Sequence, residues 1–158
     1  MQMQIIQVGK TKQSFFRDGE QEYLKRLQPS TEIKFVQLKE LGIDSNSPAL
    51  REKAQQQEGK AILDKLDNPG FLIVLDELGQ QFTSPEFAQK ISQIRDFQGG
   101  KITFVIGGPF GLSEEVRKRA NLILSFSKFT FTHEQIRLLL LEQIYRAFTI
   151  LANKTYHY

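Results

Sequence analysis

The sequence contains no cysteine among its 158 residues. This absence excludes disulfide bonds, thiolate metal ligands and a cysteine nucleophile, and it suits a reducing compartment. Long apolar runs are also missing, since no stretch approaches the roughly 20 apolar residues that a membrane-spanning helix needs. Residues 1–5 lack the charged start and the apolar run of a signal peptide. We therefore expect a cytoplasmic protein without a membrane-spanning segment.

Histidine is scarce as well, because His133 and His157 are the only two in the chain. They do not form the H-x-x-x-H spacing of a zinc site, so we expect no metal centre. The G-x-S-x-G turn of serine hydrolases is also missing, which weakens an interpretation as a hydrolase.

The composition is that of an ordinary globular protein, with 40% hydrophobic and 25% charged residues. The length fits one domain that spans residues 1–158. The net charge is only +3, but residues 117–158 hold seven basic and two acidic residues. Such a basic region can contact phosphates, and it can equally consist of solvated helix faces. Charge alone leaves both interpretations open.

Short apolar runs alternate with segments of helical periodicity, which predicts an α/β fold with a mostly parallel sheet and helices on both faces. The predicted strands cover residues 4–8, 33–38, 71–75, 102–106 and 122–124. The predicted helices cover residues 12–27, 48–66, a segment that ends before Gly99, a short segment after Ser113 and a segment that ends near residue 152. Residues 44–48 are polar and predict a mobile loop.

Three of the helix starts carry capping signals. Ser84 followed by Pro85 is typical of an N-cap and the first helical position, and Ser113 is expected to cap the short helix. Thr132 and Gln135 have the spacing of a capping box for the last helix.

Ligands of parallel sheets bind beyond the carboxyl ends of the strands, and three strand exits in the C-terminal half qualify, after residues 75, 106 and 124. The exit after residue 106 is a glycine loop, residues 107–111, which matches neither the dinucleotide fingerprint nor the P-loop. It predicts either a close approach of the backbone to a ligand or a tight turn. The exit after residue 124 alternates hydroxyl and phenyl side chains in residues 125–132. Those rings can sandwich a planar base, or the segment can be a strand at a sheet edge.

The last helix carries further candidates. His133 lies in its first turn, where a neutral imidazole is favoured, so His133 is either a proton acceptor or an exposed surface residue. Glu142 and Arg146 have the spacing of an ion pair, which leaves Arg137 free to face a ligand or a phosphate. The helix is apolar on two sides, which predicts a subunit interface or a central core helix.

Taken together, these residues resemble the RlmH family, the ribosomal large-subunit pseudouridine N3-methyltransferases of the SPOUT class. The resemblance covers essentially the whole chain. Its motifs are Val74-Leu75-Asp76, Phe104 to Pro109 with Gly111-Leu112-Ser113, Leu124 to Lys128, His133, Arg137, Glu142 to Ala147, and Tyr156-His157. The chain departs from many members at Thr132, which stands where they have proline.

The resemblance implies a SPOUT-type fold whose C-terminal part is threaded through a trefoil knot. It implies a homodimer that binds S-adenosylmethionine in a bent form and methylates a pseudouridine of 23S ribosomal RNA in the assembled ribosome. Transferred position by position, the cofactor contacts fall at Leu75, Gly107, Gly108, Phe126, Ser127, Lys128, Phe129, Thr130 and Phe131.

Methylation of N3 requires a group that accepts the N3 proton or stabilises the anion. His133 is the first candidate for the base, and Arg137 is expected to hold a phosphate or an enolate oxygen. Tyr156 and His157 are expected to close over the base from the C-terminal tail. Two alternatives stay open, a SPOUT methyltransferase of another RNA such as transfer RNA, and a non-catalytic module that binds RNA or a nucleotide.

Overall fold

The computed structural model describes residues 1–42 and 47–154 of the chain. Most of the predicted loop at residues 44–48 and the whole C-terminal tail, including Tyr156 and His157, lie outside these ranges. Within them the chain forms five strands and five helices in alternation. In chain order they are β1 (Gln2–Val8), α1 (Ser14–Leu27), β2 (Glu32–Leu38), α2 (Pro48–Leu63), β3 (Phe71–Gln80), α3 (Ser84–Phe97), β4 (Lys101–Ile106), α4 (Glu114–Arg119), β5 (Leu122–Leu124) and α5 (His133–Leu151). All ten predicted elements are confirmed.

The strands form one sheet in the order β2-β1-β4-β3-β5, in which every paired strand is parallel to its neighbour. The exits of β4, β3 and β5 are therefore adjacent at one edge. β3 continues beyond the predicted strand, and its pairing with β5 is irregular between Leu75 and Gln80. At Gly79 a Cβ atom would lie 2.6 Å from the backbone oxygen of Ile123, so this glycine permits the close crossing.

Two apolar clusters cover the opposite faces of the sheet, because alternate strand residues point to opposite sides. Along β1, Met3 and Ile5 belong to one cluster, whereas Ile6 and Val8 belong to the other. The first cluster includes buried residues of α1, α3 and α5, and the second includes buried residues of α2 and α4. The predicted α/β fold with helices on both faces is confirmed.

Helix α5 is a core element that packs between α1 and α3. Its residues Leu140, Leu141 and Ile144 are fully buried. Gly19 of α1 lies against Leu138, where a Cβ atom would come within 2.9 Å of Cδ1. The apolar sides of α5 are therefore largely covered within the chain itself, and the central core helix is the correct alternative for these residues. The predicted subunit interface stays a prediction.

Two of the predicted caps need correction. Thr83, not Ser84, is the N-cap of α3, and it forms a capping box with Glu86. Ser84 instead donates a hydrogen bond to Oε1 of Gln143, 2.8 Å away. Ser113 occupies the N-cap position of α4, but its side chain makes no cap hydrogen bond, because its hydroxyl is buried against Gly59 of α2. The capping box of Thr132 with Gln135 is confirmed.

No helix within the described ranges is long and apolar enough to cross a membrane. The same ranges contain no group of three or more histidine or acidic side chains that could hold a metal ion.

Candidate active site

A cavity of about 860 Å³ lies at the carboxyl ends of the strands, where the exits of β3, β4 and β5 meet. Its volume is in the range of sites for small molecules and cofactors. The apolar floor is formed by Leu75, at which β3 leaves its pairing with β4, and by Ile106 and Leu124, the last residues of β4 and β5. Residues of the glycine loop and of the loop after β5 form the walls, and Gln13 and Phe16 of the α1 region complete them. The three exits that the sequence singled out therefore share one site.

The glycine loop after β4 is a tight turn that also lines the cavity. The amide of Gly111 donates to the carbonyl oxygen of Gly108 over 3.1 Å, and Gly111 alone in this loop has a positive φ, +78°. At Gly108 a Cβ atom would lie 2.8 Å from Oε2 of Glu58 and 3.0 Å from Val8. At Gly107 it would lie 2.9 Å from Leu112. A side chain at either position would have to displace these neighbours, so the back of the loop packs closely and its backbone lines the cavity.

The loop after β5 is held in place by its own hydroxyl groups. Ser125 donates to the carbonyl oxygen of Ser127 over 2.8 Å, and the hydroxyl of Ser127 accepts the amide of Phe129 over 3.1 Å. The hydroxyl of Thr130 donates to Oε2 of Glu77 over 2.7 Å, which ties this loop to the exit of β3. Residues 125–132 contain no strand, so the predicted alternative of a sheet edge is wrong.

Most of the residues that the resemblance assigned to the cofactor line this cavity. They are Leu75, Gly107, Gly108, Phe126, Ser127, Phe129, Thr130 and Phe131. Lys128 belongs to the same loop but is not part of the cavity wall. The structure thus brings these residues together, and their contacts with a cofactor stay a prediction.

His133 begins α5 and lines the cavity. The ring is half-buried, and its Nε2 atom is buried without a hydrogen-bond partner in residues 1–42 and 47–154. Burial lowers the pKa of His133 below its usual value, and the positive charge of Arg137 lowers this pKa further. The carboxylates of Glu40 and Glu134 act in the opposite direction but do not offset these effects. The imidazole is therefore neutral near pH 7, and it is not the freely exposed surface residue of the alternative interpretation.

Arg137 follows His133 by one helical turn, but it is enclosed in protein. Its side chain is 1% exposed. Nη2 donates to the carbonyl oxygens of Val8 and Gly9 over 2.6 and 3.0 Å, and Nη1 donates to the hydroxyl of Thr11 over 3.2 Å. The expectation that Arg137 is free to face a ligand is wrong, because the end of β1 presents carbonyl oxygens that need donors.

Glu134 acts on the same segment from the neighbouring position. Its Oε2 atom accepts the amides of Lys12 and Gln13, each over 3.1 Å, in place of a side-chain cap at the start of α1. The first turns of α5 therefore hold the connection between β1 and α1. This connection leads to Gln13 and Phe16 in the cavity wall.

Asp76 and Arg117 form an ion pair in the cavity wall that could not be predicted from the sequence. Asp76 follows Leu75 at the exit of β3, and Oδ2 of Asp76 accepts Nε of Arg117 over 2.8 Å. The side chain of Asp76 is 7% exposed and that of Arg117 is 35% exposed. Asp76 was visible in the motif around Leu75, and Arg117 was visible in the basic C-terminal region. Nothing in the sequence pairs them.

The sheet order, the three shared exits and the glycine loop define an α/β protein with a ligand site at the carboxyl edge of its sheet. The family model described as predicted SPOUT methyltransferase matches residues 1–157. The chain belongs to this family.

Individual relatives agree over their full length. "Ribosomal RNA large subunit methyltransferase H" of Carboxydothermus hydrogenoformans is 43% identical over 158 residues, which cover 99% of each chain. The protein of the same name from Lactobacillus johnsonii is 42% identical over the same coverage. Among solved structures, a probable methylase family protein from Haemophilus influenzae Rd KW20 has a TM-score of 0.58 at 16% identity, covering 99% of this chain and 70% of that chain. This structural likeness supports the fold alone.

Proposed function

We propose that this chain transfers a methyl group from S-adenosylmethionine to N3 of a pseudouridine in large-subunit ribosomal RNA. The observation that carries the proposal is the single cavity formed by the three strand exits in a member of the SPOUT methyltransferase family. The names of the full-length relatives support the ribosomal substrate.

The residues of the cavity fit S-adenosylmethionine. The adenine ring needs apolar surface and polar backbone atoms at its edge, and the cavity offers Leu75, Ile106 and Phe126 beside the backbone of two loops. The glycine loop has no side chain at Gly107 and Gly108, so its main chain lines the cavity there. We assign the cofactor contacts to Leu75, Gly107, Gly108 and residues 126–131. Lys128 is assigned with them on the resemblance, although it belongs to the same loop and does not line the cavity.

The cofactor, when bound, supplies an electrophilic methyl carbon whose bond to sulfur breaks as the bond to N3 forms. The N3 proton must leave, and the neutral imidazole of His133, which lines the cavity, can accept it. The ring lines the cavity, and its Nε2 atom has no hydrogen-bond partner among the described residues. The protein otherwise orients the reactants and excludes water from an apolar cavity.

Arg137 contributes as a positioning residue. It holds the carbonyl oxygens of Val8 and Gly9, and its charge lowers the pKa of His133. Both effects favour a fixed, neutral imidazole at the cavity. We assign Tyr156 and His157 to closing over the target base, as the family resemblance implies. The variants Tyr156→Phe and His157→Asn test this role.

We further propose that the active form is a homodimer that acts on the assembled ribosome. Two apolar side chains at the cavity, Leu78 and Phe129, are 85% and 79% exposed. Large apolar side chains at the mouth of a site are typical of a surface that another macromolecule covers. Sedimentation of the protein with and without Leu78→Ser tests whether this surface joins two chains.

The substrate is tested by methyl transfer from radiolabelled S-adenosylmethionine to four acceptors that lack the modification. These are assembled ribosomes, isolated large subunits, free 23S ribosomal RNA and transfer RNA. Incorporation at N3 of one pseudouridine, highest on ribosomes, is the expected result. Incorporation into transfer RNA alone would establish the alternative substrate. Binding of RNA without incorporation into any acceptor would establish a non-catalytic module.

A further inference from the structure

The acidic and basic side chains that line the cavity differ in how many of their hydrogen-bonding groups already have partners. Among the described residues that line it, Arg117 is the one lysine or arginine. The three acidic side chains of the wall already have partners within the chain. Asp76 accepts Arg117 and the amide of Leu78, Glu77 accepts Thr130, and Glu134 accepts two backbone amides. An anion that enters the cavity therefore meets one cation, Arg117, which still has N–H groups available for hydrogen bonds.

The hydrogen bonds of Arg117 leave one edge of its guanidinium group unused. Nε donates to Oδ2 of Asp76 over 2.8 Å, whereas Nη1 and Nη2 donate no hydrogen bond to any described residue. The other oxygen of Asp76 accepts the amide of Leu78 over 3.0 Å, so the carboxylate that holds Arg117 is itself fixed to the β3 exit. A guanidinium group offers N–H pairs in a planar fork that matches a carboxylate.

We infer that Arg117 binds the carboxylate at the amino-acid end of S-adenosylmethionine and that Asp76 is the positioning residue that holds Arg117 for this contact. The inference rests on the proposed function. A carboxylate that enters a largely apolar cavity loses hydration and needs a charged donor in return. Arg117 lies in the wall of the same cavity as the predicted adenosine contacts, and it is held by Nε with both Nη atoms available.

The test combines protein variants with two ligands in binding calorimetry. S-adenosylmethionine carries the carboxylate, and its decarboxylated form keeps the ammonium group, the sulfonium and the adenosine. The wild-type protein is expected to bind the decarboxylated form about 10-fold to 100-fold more weakly, which is the scale of one charge-assisted hydrogen-bonded pair. In Arg117→Gln the affinity for S-adenosylmethionine falls by the same factor, and the two ligands then bind equally.

Three further variants separate recognition from structure. Arg117→Lys keeps the positive charge but loses the planar pair of N–H groups. It is therefore expected to retain part of the difference in affinity between the two ligands. Asp76→Asn keeps the size of the side chain but weakens the hydrogen bond to Nε of Arg117. It is therefore expected to reduce the difference in affinity between the two ligands, but by less than Arg117→Gln does. Arg119→Gln is the matched control, because Arg119 lies on the same helix, is exposed and is not part of the cavity wall. It leaves both affinities unchanged.

Three other outcomes overturn the inference. Equal weakening of both ligands by Arg117→Gln would mean that the residue only shapes the cavity. Unchanged binding of both, with weaker binding of ribosomal RNA, would mean that its partner is a phosphate of the RNA. If Arg117→Gln does not fold, equal binding of the two ligands by the wild-type protein overturns the inference by itself. Absence of binding of either ligand to the folded wild-type protein would instead contradict the proposed function.

Discussion

Arg137 and Arg117 are held by opposite edges of their guanidinium groups. Arg137 uses Nη1 and Nη2 to bind the end of β1, and its Nε has no partner in the part of the chain that the structure describes. Arg117 uses Nε to bind Asp76 and leaves both Nη atoms without a bond to the described residues. The first is fully enclosed, and the second lines the cavity. The residue that looked catalytic in the sequence therefore holds the scaffold, whereas the residue that was not singled out is suited to a ligand.

The largest expected effect concerns His133, one turn before Arg137. His133→Ala is expected to lower the turnover number by about 10²–10⁴-fold, the usual contribution of a general base, with unchanged binding of S-adenosylmethionine. The measurement is single-turnover methyl transfer to unmodified ribosomes. Full turnover in this variant, with normal ribosome binding, would contradict the assignment of the base.

The pH dependence of the wild-type enzyme follows from the same residue. Because burial and Arg137 lower the pKa of His133, its neutral form persists below the ordinary value of 6.5. Activity is therefore expected to be retained as the pH falls to 6.5 and to be lost only at lower pH, when the ring takes up a proton. His133→Ala removes this acidic limb from the rate profile. A limb above pH 6.5 would disagree with the surroundings of the ring.

Arg137→Ala is expected to lower the free energy of unfolding by about 3 kcal/mol or more, because buried carbonyl oxygens lose charged donors. The measurement is urea unfolding followed by circular dichroism, with the exposed Arg119→Ala as the control. A loss below about 1 kcal/mol would mean that Arg137 is not the scaffold residue that its contacts indicate.

Gly108→Ala tests the packing behind the glycine loop. The new methyl group would meet Glu58 and Val8 at 2.8 and 3.0 Å, so we expect a loss of about 1–3 kcal/mol in stability and weaker cofactor binding. Gly42→Ala is the matched control, since a Cβ atom there meets no atom of residues 1–42 and 47–154 within 4 Å. Equal stability of the two variants would show that the loop yields without cost.

Arg117→Gln has the smallest expected effect on stability. The ion pair with Asp76 is partly exposed on the arginine side, so its loss is expected to change the free energy of unfolding by about 1 kcal/mol or less. The same urea titrations measure it. A loss as large as that of Arg137→Ala would remove the distinction between the scaffold and the ligand-binding arginine.

Local patterns were sufficient for most of the fold. Continuous apolar runs identified β3 and β4, and the capping box at Thr132 identified the start of α5. The one-residue error at the start of α3 arose because Thr83 and Ser84 can both cap a helix, and only the reciprocal bond with Glu86 selects Thr83. The trefoil knot rests on the resemblance and stays a prediction.

Long-range pairing explains what the sequence could not supply. Arg137 and Val8 are 129 positions apart, and Arg117 and Asp76 are 41 positions apart. No spacing rule connects such residues, because their contact depends on the order of strands in the sheet. The lack of an i, i+4 partner made Arg137 look free, although the carbonyl oxygens at the end of β1 satisfy it.

The central claim is that three strand exits form one site for S-adenosylmethionine. Amide hydrogen exchange, measured with and without saturating S-adenosylmethionine, tests it most directly. We predict that exchange slows together in residues 75–78, 107–111 and 125–132, while the edge strand β2 stays unchanged. Saturable binding that protects only one of these segments, or none of them, would contradict the account.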